Sequence, residues 1–221
     1  MKKLTVTIIG STGMIGGHLL DLLEKDPGIA MIRLLVRRSA VPDQDRIEVF
    51  KTDFSDPSAL FNGIKGSDAV FCAVGTTSRK VKGDKIAYRK VDYDIPVQAA
   101  RAAEDAGVTQ FLLVSSVGAD SHSKIFYSRL KGEVEAEISQ MQIPSVSVFR
   151  PSLLLGKRAE FRLGERIAQV MMPPLSFLVP SNFKPIHAGE VARAMIAAFK
   201  RSIPGYTLYH YREMQHLLKI Q

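Results

Sequence analysis

The chain has 221 residues, 46% of them hydrophobic and 24% charged, which suits one globular domain over 1–221 with a sizeable core. Its net charge of +8 comes without zinc-finger spacing, an RNA-binding aromatic motif or a long basic helix, so nucleic acid is not an expected partner. No apolar run approaches the roughly 20 residues of a bilayer span, and the single cysteine, Cys72, excludes an internal disulfide and a cysteine-based metal cluster.

The opening "MKKLTVTIIG" has the charged start of a signal peptide, but its apolar part is short and runs directly into a glycine turn. A soluble protein of the cytoplasm is therefore expected. "LTVTIIG" reads as a buried strand and "MIGGHLLDLLEK" as an amphipathic helix stopped at "DPG". "MIRLLV" and "RIEVFKTD" are the second and third strands. "SDPSALFNGI" starts a helix with Ser55 or Asp56 as cap and Pro57 near its first position. "DAVFCAV" is a fourth strand, followed by a basic loop and a long helical pattern from about Tyr88 to Ala106. "QFLLVSS", a helix carrying Tyr127, and "SVSVF" complete the series.

Strands alternating with helices over short loops predict an α/β fold, a doubly wound parallel sheet of the Rossmann type. From about Gly156 the pattern degrades into a mixed region rich in Pro, Met and Phe. It is too short for an independent domain, and 156–221 reads as a small C-terminal appendage on the substrate side of the sheet.

"GSTGMIGG" sits where the first strand turns into the first helix. Gly10, Gly13 and Gly16, with Ser11, Thr12, Met14 and Ile15 between them, have the form of a dinucleotide loop. Glycine permits the tight turn, the approach of backbone N–H groups to a pyrophosphate, and close packing of helix on strand. The helix N-terminus adds partial positive charge. Packing alone would also explain three glycines. An NAD site usually carries an acid about 20 residues further on; here the second strand ends in Arg37 and Arg38. A guanidinium binds a 2′-phosphate that an acid would repel, so NADP(H) is expected in preference to NAD(H). Two solvated arginines are the plainer alternative.

Asp53 and Phe54 follow the third strand, where an adenine ring can be bracketed. Ala73, Val74, Gly75 and Thr76 follow the fourth, small enough for a cofactor to lie close to the backbone. The loop "SRKVKGDKIAYRK" concentrates Arg79, Lys80, Lys82, Lys85, Arg89 and Lys90 at the same edge. Most of these read as solvated, with one or two available to steer an anion.

Tyr127 alone among six tyrosines has a lysine, Lys131, four residues on, so both leave one helix face. An ammonium beside a phenol favours the phenolate, suiting it to proton transfer, a role typically contributing ~10²–10⁴ in rate. Ser116, or Ser115, at the end of the fifth strand can hold a substrate carbonyl by hydrogen bond. Lys131 can also hold the nicotinamide ribose.

With "GSTGMIG", "LLVSSVG" and "YSRLK" in this order, the chain resembles the short-chain dehydrogenase/reductases. "FRPSLLLG" resembles the Arg-Pro loop that closes over nicotinamide in extended and atypical members, and "PIHAGEVARAMIAAF" their late strand-to-helix segment. Within the superfamily, "VSSVGADSHSKIFYSRLKGEVEAEI" and "GTTSRK" are similar to the atypical group typified by the Tat-interacting-protein oxidoreductase. The resemblance implies catalytic roles for Ser116, Tyr127 and Lys131, with Ser115, Pro151, Ser152, Leu153 and Leu154 beside the nicotinamide. Ser116 precedes Tyr127 by 11 residues, a link shorter than in most of the superfamily but shared by the atypical group.

The expected activity is NADP(H)-dependent reduction of a carbonyl, or oxidation of an alcohol, on a small-molecule substrate. A non-catalytic, cofactor-sensing protein and sugar-nucleotide epimerase or dehydratase chemistry are the alternatives. Met171, Met172, Leu175 and Phe177 suggest an apolar substrate wall, or equally a homodimer contact. Cys72 reads as a small buried residue and His187 as a surface or packing histidine.

Overall fold

The computed structural model describes residues 3–37, 45–77, 80–156 and 181–219. Arg38, Arg79 and the segment with Met171, Met172, Leu175 and Phe177 lie outside the described residues. The first half of the chain runs β1 (Leu4–Ile9), α1 (Met14–Glu24), β2 (Ile29–Val36), β3 (Ile47–Lys51), α2 (Pro57–Ile64) and β4 (Ala69–Cys72). It continues through α3 (Lys85–Arg89), a π-helical turn (Lys90–Asp94), α4 (Ile95–Asp105), β5 (Gln110–Val114), α5 (Phe126–Ile138) and β6 (Ser145–Phe149). The short strands β7 (Leu154–Leu155) and β8 (Ile186–His187) lead to α6 (Ala188–Arg201), β9 (Gly205–Tyr209) and α7 (Tyr211–Lys219).

Seven strands form one sheet in the order β3-β2-β1-β4-β5-β6-β9, and every neighbouring pair is parallel. Successive side chains of a strand point to opposite faces, so a sheet covered by helices on both sides needs apolar residues at nearly every position. β4 shows this: Ala69 and Phe71 enter the core shared with α1, α6 and α7, while Val70 and Cys72 enter the one shared with α2, α4 and α5. Phe111 and Leu113 of β5 likewise face away from Leu112.

Local chemistry sets the element boundaries. The Asp56 carboxylate accepts the Ser58 amide at 2.9 Å and caps α2, with Pro57 at its start. Ser55, the other candidate cap, instead donates to Asp53. The helix expected from Tyr88 begins earlier, because Asp84 accepts the amides of Ile86 and Ala87. It also contains the π-helical turn just before Pro96, whose missing N–H removes one regular helical donor.

The tail differs from a pure edge appendage. β9 pairs with β6 as the seventh strand, and Val191, Met195 and Phe199 of α6 are buried beside Leu19 and Leu23 of α1. Phe71 meets Phe199 edge-on at 5.5 Å, and Phe149 stacks on Tyr209 at 4.8 Å. The mixed Pro/Met/Phe pattern obscured this because the strand "GYTLY" is short and begins at exposed residues.

β1 lies between β2 and β4, and the chain direction across the sheet reverses there. The loops leaving β1 and β4 meet at this switch point: a Cβ on Gly10 (φ +94°) would lie 2.7 Å from the Ala73 carbonyl oxygen. A Cβ on Gly16 would lie 2.0 Å from the Gly10 carbonyl oxygen, so α1 sits on its strand's turn with no room for a methyl group. Gly16→Ala should therefore lower unfolding stability by about 1–3 kcal/mol, as overpacking does; urea unfolding within a few tenths of wild type would contradict the tight fit.

Candidate functional site

Gly13 is the N-cap of α1, with no side chain capping the helix and no acid in its first turn. The first-turn amides thus keep their donors for another acceptor. Ser11 Oγ, buried in the same loop, has no hydrogen-bond partner among the described residues. Uncommitted amides and an orphaned hydroxyl at a helix N-terminus fit an anion such as a pyrophosphate. Gly10 and Gly16 are required by packing in any case, whereas Gly13 and Thr12 are exposed and Met14 is half-buried. Ile15 spends its side chain on the core.

Beyond the ends of β2 and β3 lies a cleft of about 670 Å³. Arg37, Lys51 and Lys90 bring three cations to it, and Asp53, Phe54 and Gln98 also line it. The Asp53 carboxylate accepts the Ser55 amide at 2.9 Å and its hydroxyl at 2.7 Å, bonds that hold its pKa below the ordinary value. Phe54 is largely buried in the core and leaves little of its surface to the cleft. The Gln98 side-chain oxygen is buried there without a partner among the described residues.

At the other half of the edge, Tyr127 lies in the first turn of α5 and is 38% exposed. Its ring meets Tyr88 edge-on at 6.2 Å, and Tyr88 donates to the Thr76 carbonyl at 3.3 Å. One turn below, Lys131 is buried, with Nζ 2.9 Å from Asp92 Oδ1. The other oxygen of Asp92 accepts the Thr76 amide at 2.7 Å. Burial works against the Lys131 charge, yet Asp92 and Tyr127 outweigh it and hold the ammonium above the ordinary lysine pKa. Thr76, Tyr127 and Lys131, expected separately at one site, thus belong to one connected cluster.

The two serines at the end of β5 differ sharply. Ser115 is buried and donates to the Glu135 carboxylate, which Arg150 Nε also engages at 3.0 Å. Ser116 is half-buried, and among the described residues its hydroxyl has only a 3.3 Å contact, to the adjacent Val117 carbonyl. Ser115 is committed to the fold, while Ser116 has a hydroxyl to offer. The short link to Tyr127 works because it folds against α5. The Asp120 amide donates to the Ser128 carbonyl at 3.0 Å, and a Cβ on Gly132 would lie 2.1 Å from the Ser121 nitrogen.

The Pro151 carbonyl accepts the Val117 amide at 2.9 Å, placing the Arg-Pro loop beside Ser116. Ser152 donates its hydroxyl to the Lys184 carbonyl, and the Leu153 carbonyl accepts the Ile186 amide at 3.1 Å. Leu154 pairs with Ile186 in the two-stranded β7–β8 sheet. Burial pushes the Cys72 thiol up to about 12, which leaves it a packing residue at neutral pH.

Asp92 and Glu135 escaped the sequence reading, and Arg150 entered it only as part of the Arg-Pro loop. Their signals were an acid within the helical pattern that starts near Tyr88 and an acid on the inner face of α5. Neither identifies its partner, since those partners lie 39 and 15 residues away.

A seven-stranded parallel sheet with a glycine turn at its switch point defines a Rossmann-type nucleotide-binding protein. The chain belongs to the NAD(P)H-binding family, which matches residues 10–142. It is 32% identical to "Protein FMP52, mitochondrial" of Coccidioides immitis over 91% of this chain and 87% of that protein. It is 31% identical to "Protein FMP52-1, mitochondrial" of Scheffersomyces stipitis over 96% and 97%. Among solved structures, it is similar to a UDP-N-acetylglucosamine 4-epimerase from Methanobrevibacter ruminantium (TM-score 0.71, 16% identity, 95% of this chain and 77% of that one). MoeE5 in complex with UDP-glucose and NAD has the same TM-score and identity, with 98% and 82% covered. At this identity the structural likeness shows the fold alone. The names of the relatives overturn the cytoplasmic expectation, pointing to mitochondria. That expectation rested on composition, which carries no address.

Removing Glu135 would leave Arg150 without its buried counter-charge and Ser115 without its acceptor. Glu135→Ala should cost about 3–5 kcal/mol in urea unfolding; a loss below about 1 kcal/mol, as for an exposed pair, would show the network to be solvated.

Proposed function

We propose that the chain is an NADP(H)-dependent oxidoreductase of the atypical short-chain dehydrogenase/reductase type, of the group to which its Tyr127 helix is similar. The observation that carries this reading is a half-open phenol, Tyr127, one helical turn from the buried Lys131 ammonium, at the sheet edge that also carries the half-buried Ser116 after β5.

The α1 amides and Ser11 would hold the pyrophosphate, and Arg37 with Lys51 and Lys90 the 2′-phosphate. When bound, the dinucleotide supplies or accepts hydride. Ser116 donates to the substrate carbonyl oxygen and orients it. Tyr127 Oη gives its proton to that oxygen as negative charge develops, or takes the proton from an alcohol in the reverse direction. The Lys131 ammonium, one turn below, favours the phenolate left behind. The substrate is a small carbonyl or alcohol.

A cofactor-sensing role without turnover uses the same glycine loop and is separated by experiment. Purified protein is titrated with NADPH and NADH, then assayed with aldehydes, ketones and quinones. Tyr127→Phe should cut turnover by ~10²–10⁴ while leaving NADPH affinity nearly unchanged; full activity in this variant would remove Tyr127 from the chemistry. Loss of a charge-assisted contact costs about 1.5–3 kcal/mol, so Arg37→Ala should weaken NADPH roughly 10- to 100-fold and NADH little. Equal weakening of both would refute the preference for NADP(H).

A further inference from the structure

Helices usually open on Ser, Thr, Asp or Asn, whose side chain accepts a first-turn amide. The Tyr127 helix, α5, opens instead on Ile125, with no side-chain cap. Ile125 is also 68% exposed, so an apolar side chain stands in water at a position that favours a polar one. The polar groups of the preceding loop are committed to the loop itself. Ser123 Oγ accepts the Ile125 amide at 3.1 Å, and Asp120 accepts the His122 amide at 2.9 Å. Neither capping nor burial accounts for Ile125, and such breaches of local preference concentrate at functional sites.

Among the described residues six large apolar side chains stand exposed, and four of them border the Ser116–Tyr127 edge: Ile86, Ile125, Tyr127 and Phe183. The other two, Ile203 and Tyr206, lie around the start of β9, at the opposite edge of the sheet. On the Tyr127 side, Tyr88 meets Phe126 edge-on at 5.8 Å and Tyr127 at 6.2 Å, and Lys85 Nζ lies 5.6 Å from the Phe126 ring centroid. These contacts hold α3 against the first turn of α5. On the Ser116 side, Phe183, 49% exposed, precedes Lys184, whose carbonyl holds the Ser152 hydroxyl of the Arg-Pro loop.

We propose that this apolar rim, Ile125, Phe126 and Tyr88 with Phe183 on the Ser116 side, binds an aryl aldehyde or aryl ketone, whose ring lies on the rim while its carbonyl reaches Tyr127.

An aromatic ring suits the rim because it adds to an existing edge-on cluster and covers apolar surface now in water. A sugar does not, since its hydroxyls need partners that the rim lacks. The Tyr88 hydroxyl already donates to the Thr76 carbonyl, and the loop before Ile125 has turned its polar groups inward. A protein seated on the rim would cover the phenol, so a small molecule is the occupant. The chemistry rests on the proposed function: hydride from the nicotinamide goes to the carbonyl carbon and the Tyr127 proton to its oxygen. An aryl alcohol and the oxidised dinucleotide leave. The binding surface does not depend on that step.

The test compares acetophenone with hydroxyacetone, by saturation-transfer NMR for binding in the presence of NADP⁺ and by steady-state kinetics with NADPH for turnover. In the wild type, kcat/KM for acetophenone should exceed that for hydroxyacetone at least ~10-fold. Ile125→Ser and Phe183→Ser alter exposed side chains, so both variants should fold. Each should lower the acetophenone-to-hydroxyacetone ratio roughly three- to tenfold, through KM, and weaken acetophenone binding to match. A ratio that neither variant moves overturns the proposal. So does a wild-type dimer that Ile125→Ser dissociates in sedimentation, which would make the rim a contact between copies. Turnover of hydroxyacetone alone would overturn the aryl assignment and leave the proposed function standing. Acetophenone binding that Ile125→Ser weakens, without turnover of any carbonyl, would uphold the aryl surface and sink the proposed function instead.

Discussion

A parallel sheet buried on both faces must send every loop that follows a strand to one edge. In this protein seven strands obey that constraint, and the groups that matter come from five of their ends. The glycine turn follows β1, the cationic cleft follows β2 and β3, the Ala73–Thr76 loop follows β4, and Ser116 follows β5. Because β1 is flanked by β2 and β4, the chain diverges in opposite directions on either side of the glycine turn and leaves a crevice there. The near contact of Gly10 with Ala73 brings the two halves together at backbone distance.

Charges at this edge are buried in pairs, each bridging separate segments. Asp92 joins Lys131 to the loop after β4, and Glu135 joins Arg150 to Ser115. Such pairs add little net stability compared with apolar packing, but a missing partner is costly. Their effect here is geometric. The first sets the loop and the Tyr127 helix in register, and the second locks the Arg-Pro loop to the end of β5. Ser115 is consumed in that lock, which leaves Ser116 as the hydroxyl facing outward.

Much of the framework was legible from residue order. Alternating apolar runs and helical patterns gave the sheet, and Gly10, Gly13 and Gly16 marked the turn where the crevice forms. The tail was harder: β9 is five residues long and gains its identity from pairing with β6, a contact no local pattern announces. The early start of α3 depended on the Asp84 side chain rather than on apolar periodicity. Cellular address lay outside composition altogether, and the mitochondrial names of the relatives corrected it.

By itself, the sequence determined the α/β class, the dinucleotide turn, the arginine at the end of β2 and the common face of Tyr127 and Lys131. These depend on spacing along one element, where 3.6-residue and 2-residue periods govern which side chains share a face. Only the tertiary structure decided which partners the buried charges take. Spacing would match Lys131 with Glu135 four residues on, yet the fold pairs Lys131 with Asp92 and Glu135 with Arg150. The reason is burial: away from water each charge needs a partner at contact distance, and packing, not spacing, decides which one is there.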